Sequence, residues 1–214
     1  MELPSNLLIV VGLNREARIA CARGRVAIGV AGIAAAMATR PTGLISFGLC
    51  GALDPALRVG DLLVADGVVS GDRRWSADPV WAATLRAALP DARRGDMAAG
   101  NRIVGSAAAK TALRGSYGAV GADMESHAVA REAEAAGLPF AVLRAVSDSA
   151  RRVLPLSAQA GFKVDGDPDV AAVIAALIAR PWELPALMRT ALEAATGFKA
   201  LARAAASLSS LPGR

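Results

Sequence analysis

Strand-length runs that are apolar at nearly every position recur along this chain, and they restrict its fold more than any other feature. Leu7–Val11, Val26–Val30, Leu44–Leu49, Leu62–Asp66 and Leu138–Val146 are such runs. A strand without an alternating polar face is buried on both sides, which is the situation of a parallel sheet covered by helices. Helical patterns lie between the runs: an alanine-rich stretch to Thr39 that stops at Pro41, then Asp78 to Leu89 with Trp81 and Leu85 on one side, then Ser106 to Arg114. After Val120 another begins, with Ala128, Val129, Ala133 and Ala136 opposite Arg131, Glu132 and Glu134. Leu13–Glu16 reads as a turn with a short helix from Ala17, Met97–Val104 as strand and turn, and Tyr117–Gly121 as a strand. This alternation predicts an α/β sheet with crossover connections. From residue 167 to about 208 only helical patterns remain. Residues 1–214 are thus expected to form one domain, with 167–208 as a C-terminal helical extension packed on it.

Composition agrees. Of 214 residues, 54% are hydrophobic, 20% charged and 4% aromatic, so the core is made from Ala, Val, Leu and Ile and disorder is excluded. The net charge of +5 comes largely from scattered arginines such as Arg73-Arg74, Arg93-Arg94 and Arg151-Arg152. No basic stripe with interleaved aromatics appears, so no nucleic-acid partner is expected. Cys21 and Cys50 form no CxxC pair, and Met1-Glu2-Leu3-Pro4 lacks a secretory pattern, which predicts reduced thiols and a cytoplasmic location. Val170–Ala179 is too short for a span, which takes about 20 residues. From Arg180 to Arg214 basic residues outnumber acidic ones. That is a packing helix or, alternatively, a basic amphipathic helix giving peripheral contact with anionic lipid. No residue cluster has metal-ligand spacing, so no metal is expected.

The polar residues of interest gather where strands end. Asp123 stands at a helix-capping position with Met124 and Glu125 at the helix entrance, Ser147-Asp148 closes the last apolar run, and Glu16 follows the first. In a parallel α/β sheet the carboxyl ends of strands meet ligands, so Glu125, Asp148 and Glu16 are expected on one edge. Two carboxylates there suit the splitting of a sugar from its leaving group, one holding the sugar and one protonating the departing atom. The plainer reading is that these residues cap helices and start turns. Gly29-Val30-Ala31-Gly32 and Gly48-Leu49-Cys50-Gly51 do not complete a dinucleotide fingerprint. His127, two residues beyond Glu125, faces a different way and is read as structural.

Four blocks carry a resemblance: Gly48-Leu49-Cys50-Gly51-Ala52-Leu53, Val59-Gly60-Asp61-Leu62-Leu63-Val64, Asp123-Met124-Glu125-Ser126 and Val146-Ser147-Asp148. In order and spacing they resemble the purine nucleoside phosphorylase and methylthioadenosine/adenosylhomocysteine nucleosidase superfamily. The wording from Ala122 to Ala130, with Arg180-Pro181-Trp182-Glu183-Leu184, is most similar to its hopanoid-associated phosphorylase branch. The resemblance implies a phosphorylase/hydrolase-like α/β/α sandwich with a central mixed, mainly parallel sheet. It implies cleavage of the N-glycosidic bond of an adenine nucleoside, adenosylhopane in that branch, by phosphate or water. The alternatives are a methylthioadenosine/adenosylhomocysteine-type nucleosidase and a catalytically silent nucleoside-binding module. A small-molecule, lipid-linked nucleoside partner, a homo-oligomer and no resident cofactor beyond phosphate as co-substrate follow from the same resemblance.

Position by position, the resemblance gives Glu125 the ribose hydroxyls and Met124 the sugar face. Asp148 becomes the acid toward purine N7, oriented by Ser147, and Glu16 the residue that activates water. Asn101, Ile103 and Val104 line the base pocket, and Gly12, Arg15, Cys50 and Gly51 form the nucleophile or anion region. The positions that bind phosphate in bacterial phosphorylases read Ser46 and Leu49 here, which favours water. Arg15 or Arg40 is the replacement cation if phosphate is used, and Arg151 stands where an acid is expected. A large 5′ substituent needs an apolar groove, bordered by the C-terminal helices or by Trp75 and Trp81.

Overall fold

A computed structural model describes residue 4 and residues 6–20, 24–162 and 168–209; Cys21 and the first residues of the chain lie outside these. The first unit is β1 (Leu7–Val11), α1 (Asn14–Ile19), β2 (Gly24–Ile28) and α2 (Gly29–Met37). β3 (Gly43–Ala52) follows, then the hairpin of β4 (Leu62–Ser70) and β5 (Arg73–Ser76), and α3 (Pro79–Ala88). β6 (Arg93–Ala99), α4 (Ala107–Tyr117), β7 (Gly121–Asp123), α5 (Ser126–Ala136) and β8 (Phe140–Asp148) complete the sheet. α6 (Leu156–Ala160), α7 (Val170–Ala179), a 3-10 turn at Pro181–Glu183 and the long α8 (Leu184–Ser209) follow.

The eight strands form one mixed, mainly parallel sheet. β1 pairs in parallel with β2 and β3, β3 with β8, β4 with β6, and β6 with β7. β3–β7, β4–β5 and β4–β8 are antiparallel. Since β3 touches both β7 and β8, and β4 both β6 and β8, five strands close into a ring with β1 and β2 extending from it. The side-chain period of two divides the core between the faces. Leu8, Val10, Leu44 and Val142 meet Ile33 of α2 and Val129 and Ala133 of α5 on one face. On the other, Leu7, Ile9, Val11 and Leu143 meet Trp81 and Leu85 of α3 and Phe198 and Leu201 of α8.

Local signals set most boundaries. Asp78 caps α3 by accepting from the Val80 and Trp81 N–H groups, and Ser106 caps α4 by accepting from Ala109. Several expectations are corrected. α1 starts at Asn14, not Ala17, because Glu16 turns its carboxylate back onto the Gly12 and Leu13 N–H groups. β2 ends at Ile28, with Gly29 and Val30 already helical. Tyr117 belongs to α4, which stops at left-handed Gly118, so β7 is only three residues long. Glu125, not Asp123, occupies the cap position of α5, although Asp123 still accepts from the Ser126 N–H. Ala136 is exposed, and neither β5 nor α6 shows in the apolar pattern. Trp75 and Trp81 are buried in the core and do not line the pocket described below.

Candidate active site

One pocket opens at the carboxyl ends of β1, β3, β7 and β8. Its walls are Gly12, Leu13 and Glu16 after β1, Leu49–Gly51 on β3, Ala122–Glu125 from β7 into α5, and Ser147-Asp148 on β8. Arg102, Ile103 and Val104 from the loop after β6, Lys110 of α4, and Leu154 and Phe162 close the remaining side. A register shift between Cys50 and Gly51 sets Gly51 opposite Asp148 and brings these two strand ends together.

Glu16 is buried, and three backbone N–H groups converge on its carboxylate: Gly12 at 2.8 Å, Leu13 at 2.9 Å and Leu49 at 2.7 Å. Burial nevertheless raises its pKa, outweighing the nearby Arg144 and these hydrogen bonds. Gly48 has to be glycine for this packing, because a Cβ there would stand 2.6 Å from both Glu16 Oε1 and Arg144 Nη1. A Cβ on Gly12 would likewise meet Glu125 Oε1 at 2.7 Å.

Arg144 stands behind these carboxylates with no solvent exposure. Its Nε lies 2.8 Å from Asp123 Oδ2 and its Nη2 lies 3.4 Å from Glu125 Oε2. Nη2 also donates to Ser46 Oγ at 2.6 Å and to Ser126 Oγ at 3.2 Å. Burial disfavours its charge, but Asp123, Glu125 and Glu16 overcome that and hold the guanidinium protonated. Glu125 is pushed up to about 7, by burial first and then by Asp123 and Glu16, against the pull of Arg144. At the opposite wall, Asp148 accepts from Ser147 Oγ at 2.8 Å and from the Lys110 ammonium. Lys110 also donates to the Ser149 carbonyl oxygen at 2.8 Å. Burial raises the Cys50 thiol far out of the reactive range.

Of the residues expected at the site, Glu16, Glu125, Met124, Asp148, Ser147, Ile103, Val104, Gly12, Cys50 and Gly51 line this pocket. Asn101 and Arg15 do not. Asn101 is exposed on the loop outside the lining, and Arg15 is exposed with its guanidinium 4.2 Å from the Phe198 ring centre. Arg40 is exposed at the end of α2 and Arg151 beyond β8, so neither faces the pocket. His127 is half-buried on α5 away from it, its pKa depressed by desolvation. Arg144 and Lys110 were missed. Arg144 had a signal, since a charge in the middle of a strand that is otherwise apolar up to Val146 has to find buried partners. Lys110 had none, sitting in a helix of otherwise ordinary pattern. Among the described residues no group of three His, Cys, Asp or Glu side chains is arranged to hold a metal ion.

The family model of the Phosphorylase superfamily matches residues 8–180. A 5′-methylthioadenosine/S-adenosylhomocysteine nucleosidase of Marinomonas sp. (strain MWYL1) is 29% identical over 147 residues, 58% of this chain and 64% of that protein. The match therefore spans less than two thirds of the relative's length. Among solved structures, futalosine hydrolase of Helicobacter pylori strain 26695 superposes with a TM-score of 0.70 at 16% identity, over 95% of this chain and 97% of that one. S-adenosylhomocysteine nucleosidase from Streptococcus pyogenes, in complex with 5-methylthiotubericidin, gives 0.64 at 18% identity, over 98% of each chain. At such identities the likeness is one of fold.

Proposed function

The chain belongs to the phosphorylase superfamily, and we propose that it is an enzyme cleaving the N-glycosidic bond of an adenine nucleoside with water as the nucleophile. The observation that carries this reading is the meeting of Glu16, Glu125 and Asp148 in one pocket. Breaking the bond from the anomeric carbon to the purine builds positive charge on the ribose and negative charge on the base. Glu125 accepts the ribose hydroxyls and stabilises the first, with Met124 against the sugar. Asp148, oriented by Ser147, delivers a proton to the second, and Ile103 and Val104 flank the base. Glu16 takes the proton of the attacking water, its own position set by the three N–H groups it accepts from. The cations lining or backing the pocket favour water over phosphate. Arg144 and Lys110 are engaged by carboxylates, Arg102 lies on the base-side loop, and Leu49 offers no donor.

For the substrate we propose adenosylhopane, in hopanoid biosynthesis. Phe162 lines the pocket yet is half exposed, and exposed Leu156, Val170 and Ile174 continue from it along α6 and α7. Such a row suits an apolar 5′ substituent. It also supports peripheral membrane contact through α7 and the start of α8, and the protein is proposed to act as a cytoplasmic homo-oligomer. The Marinomonas relative favours a second reading, methylthioadenosine or adenosylhomocysteine as substrate.

The test is adenine release from methylthioadenosine and from adenosylhopane, with and without phosphate, following base and sugar. Free adenine and a free ribose product without phosphate are expected, and Asp148→Asn should abolish release while leaving the fold intact. Strict phosphate dependence would contradict the assignment of water. Binding without release from either substrate would leave a silent nucleoside-binding module.

A further inference from the structure

Lys110 is the buried residue of α4. Its side chain is 1% exposed, and it projects into the pocket wall beside Asp148. An ammonium is taken out of water only at considerable cost unless it is paired. The packing of α4 does not call for it, since the helix is already held by apolar contacts through Leu113 and Tyr117 and by the Arg114–Asp54 ion pair at its rim. The Lys110 ammonium donates to Asp148 Oδ2 and to the Ser149 carbonyl oxygen, while Ser147 Oγ donates to Asp148 Oδ1. In an ion pair of this kind the transferable proton resides on the nitrogen, so the carboxylate alone has nothing to deliver.

We infer that Lys110 supplies the proton that Asp148 passes to the departing base, so that the acid of the site is the Lys110–Asp148 pair. This rests on the N-glycosidic reading given above. As the C1′–N bond breaks, its electron pair stays with the purine. One proton moves from the Lys110 ammonium onto Asp148 and on from Asp148 to purine N7. The carboxylate is restored, Lys110 is left as a neutral amine, and the purine leaves uncharged. Solvent entering the emptied pocket returns the proton to Lys110. A desolvated lysine can act in this way, whereas an arginine stays protonated and can supply only charge. Lys110 acts through Asp148 and is in that sense a positioning residue.

The experiment measures kcat and KM for adenine release from methylthioadenosine by the wild type, Lys110→Met and Lys110→Arg. In parallel it follows a nitrophenyl riboside, whose leaving group departs as a stable anion and needs no proton. Both variants should lose about 100-fold or more in kcat on the adenine nucleoside with little change in KM, the range of general acid catalysis. Both should keep near-wild-type kcat on the nitrophenyl riboside, which also shows that they fold. Equal losses on the two substrates would overturn the inference in favour of a packing role. Recovery of adenine release by Lys110→Arg would overturn it in favour of a fixed charge, and that comparison decides alone if the wild type does not cleave the nitrophenyl riboside. A wild type that releases no adenine would bring down the N-glycosidic reading and this inference with it. An active wild type with an unimpaired Lys110→Met would overturn the inference only.

Discussion

Glu125 titrates at about 7 in the folded protein, raised from 4.5 chiefly by burial and then by Asp123 and Glu16. Between those two values the native state holds a proton that the unfolded chain has released. The protonated carboxyl therefore contributes stability fully present below about pH 4.5 and lost as pH rises through about 7. Over that window the loss amounts to at most about 3.5 kcal/mol, at about 1.4 kcal/mol per pKa unit. Glu125→Gln, which cannot ionise, should gain thermal stability relative to the wild type as pH goes from about 5 to about 8. A constant difference in Tm across that range would contradict the assignment. The ribose-binding role proposed for Glu125 predicts the opposite trend, because two hydroxyls are accepted best by the ionised carboxylate, so KM should fall as pH rises through the same window.

α8 links the far end of the chain to the site. Its first turns are exposed, with Met188 59% and Leu192 68% accessible, whereas Phe198, Ala200, Leu201 and Ala204 are buried against the sheet. Gly197 stands at the changeover. A Cβ there would lie 2.8 Å from Leu49 Cδ2 and 3.2 Å from the Val146 carbonyl oxygen, so the helix is pressed against the strand ends that carry Leu49 and Ser147. Gly197→Ala improves intrinsic helix propensity by about 1 kcal/mol, but overpacking of this kind costs about 1–3 kcal/mol. Leu49 has to yield, and it yields toward the pocket that it lines. The variant should raise KM several-fold while changing Tm only slightly, as steady-state kinetics and thermal unfolding will show. A higher Tm with unaltered KM would mean that α8 does not bear on the site.

Across the whole molecule, the large exposed apolar side chains concentrate between Val153 and Leu192, with Ile178 77% and Trp182 73% accessible, and α7 has no buried residue. No single helix among the described residues is long and apolar enough to cross a membrane. An apolar face of this extent beside Arg180, on a chain of net charge +5, suits shallow seating on an anionic surface. The protein should cosediment with anionic vesicles, and Ile178→Ser with Trp182→Ser should release it. A wild type that stays in the supernatant would remove the membrane contact from the proposal. By itself the sequence determined the layering and the edge on which chemistry sits, because apolar runs and helical periods are local, and a side chain at a strand's carboxyl end goes wherever the strand goes. The gathering of Glu16, Glu125 and Asp148 in one pocket was legible for that reason, and the four motif blocks supplied the roles proposed for them. Only the tertiary structure decided which charges meet them. Arg144 reaches Ser46 from 98 residues away and Lys110 reaches Asp148 from 38, while Arg15, adjacent to Glu16 in sequence, turns outward onto Phe198. A buried charge selects its partners by geometry in three dimensions, and sequence spacing carries no record of that choice.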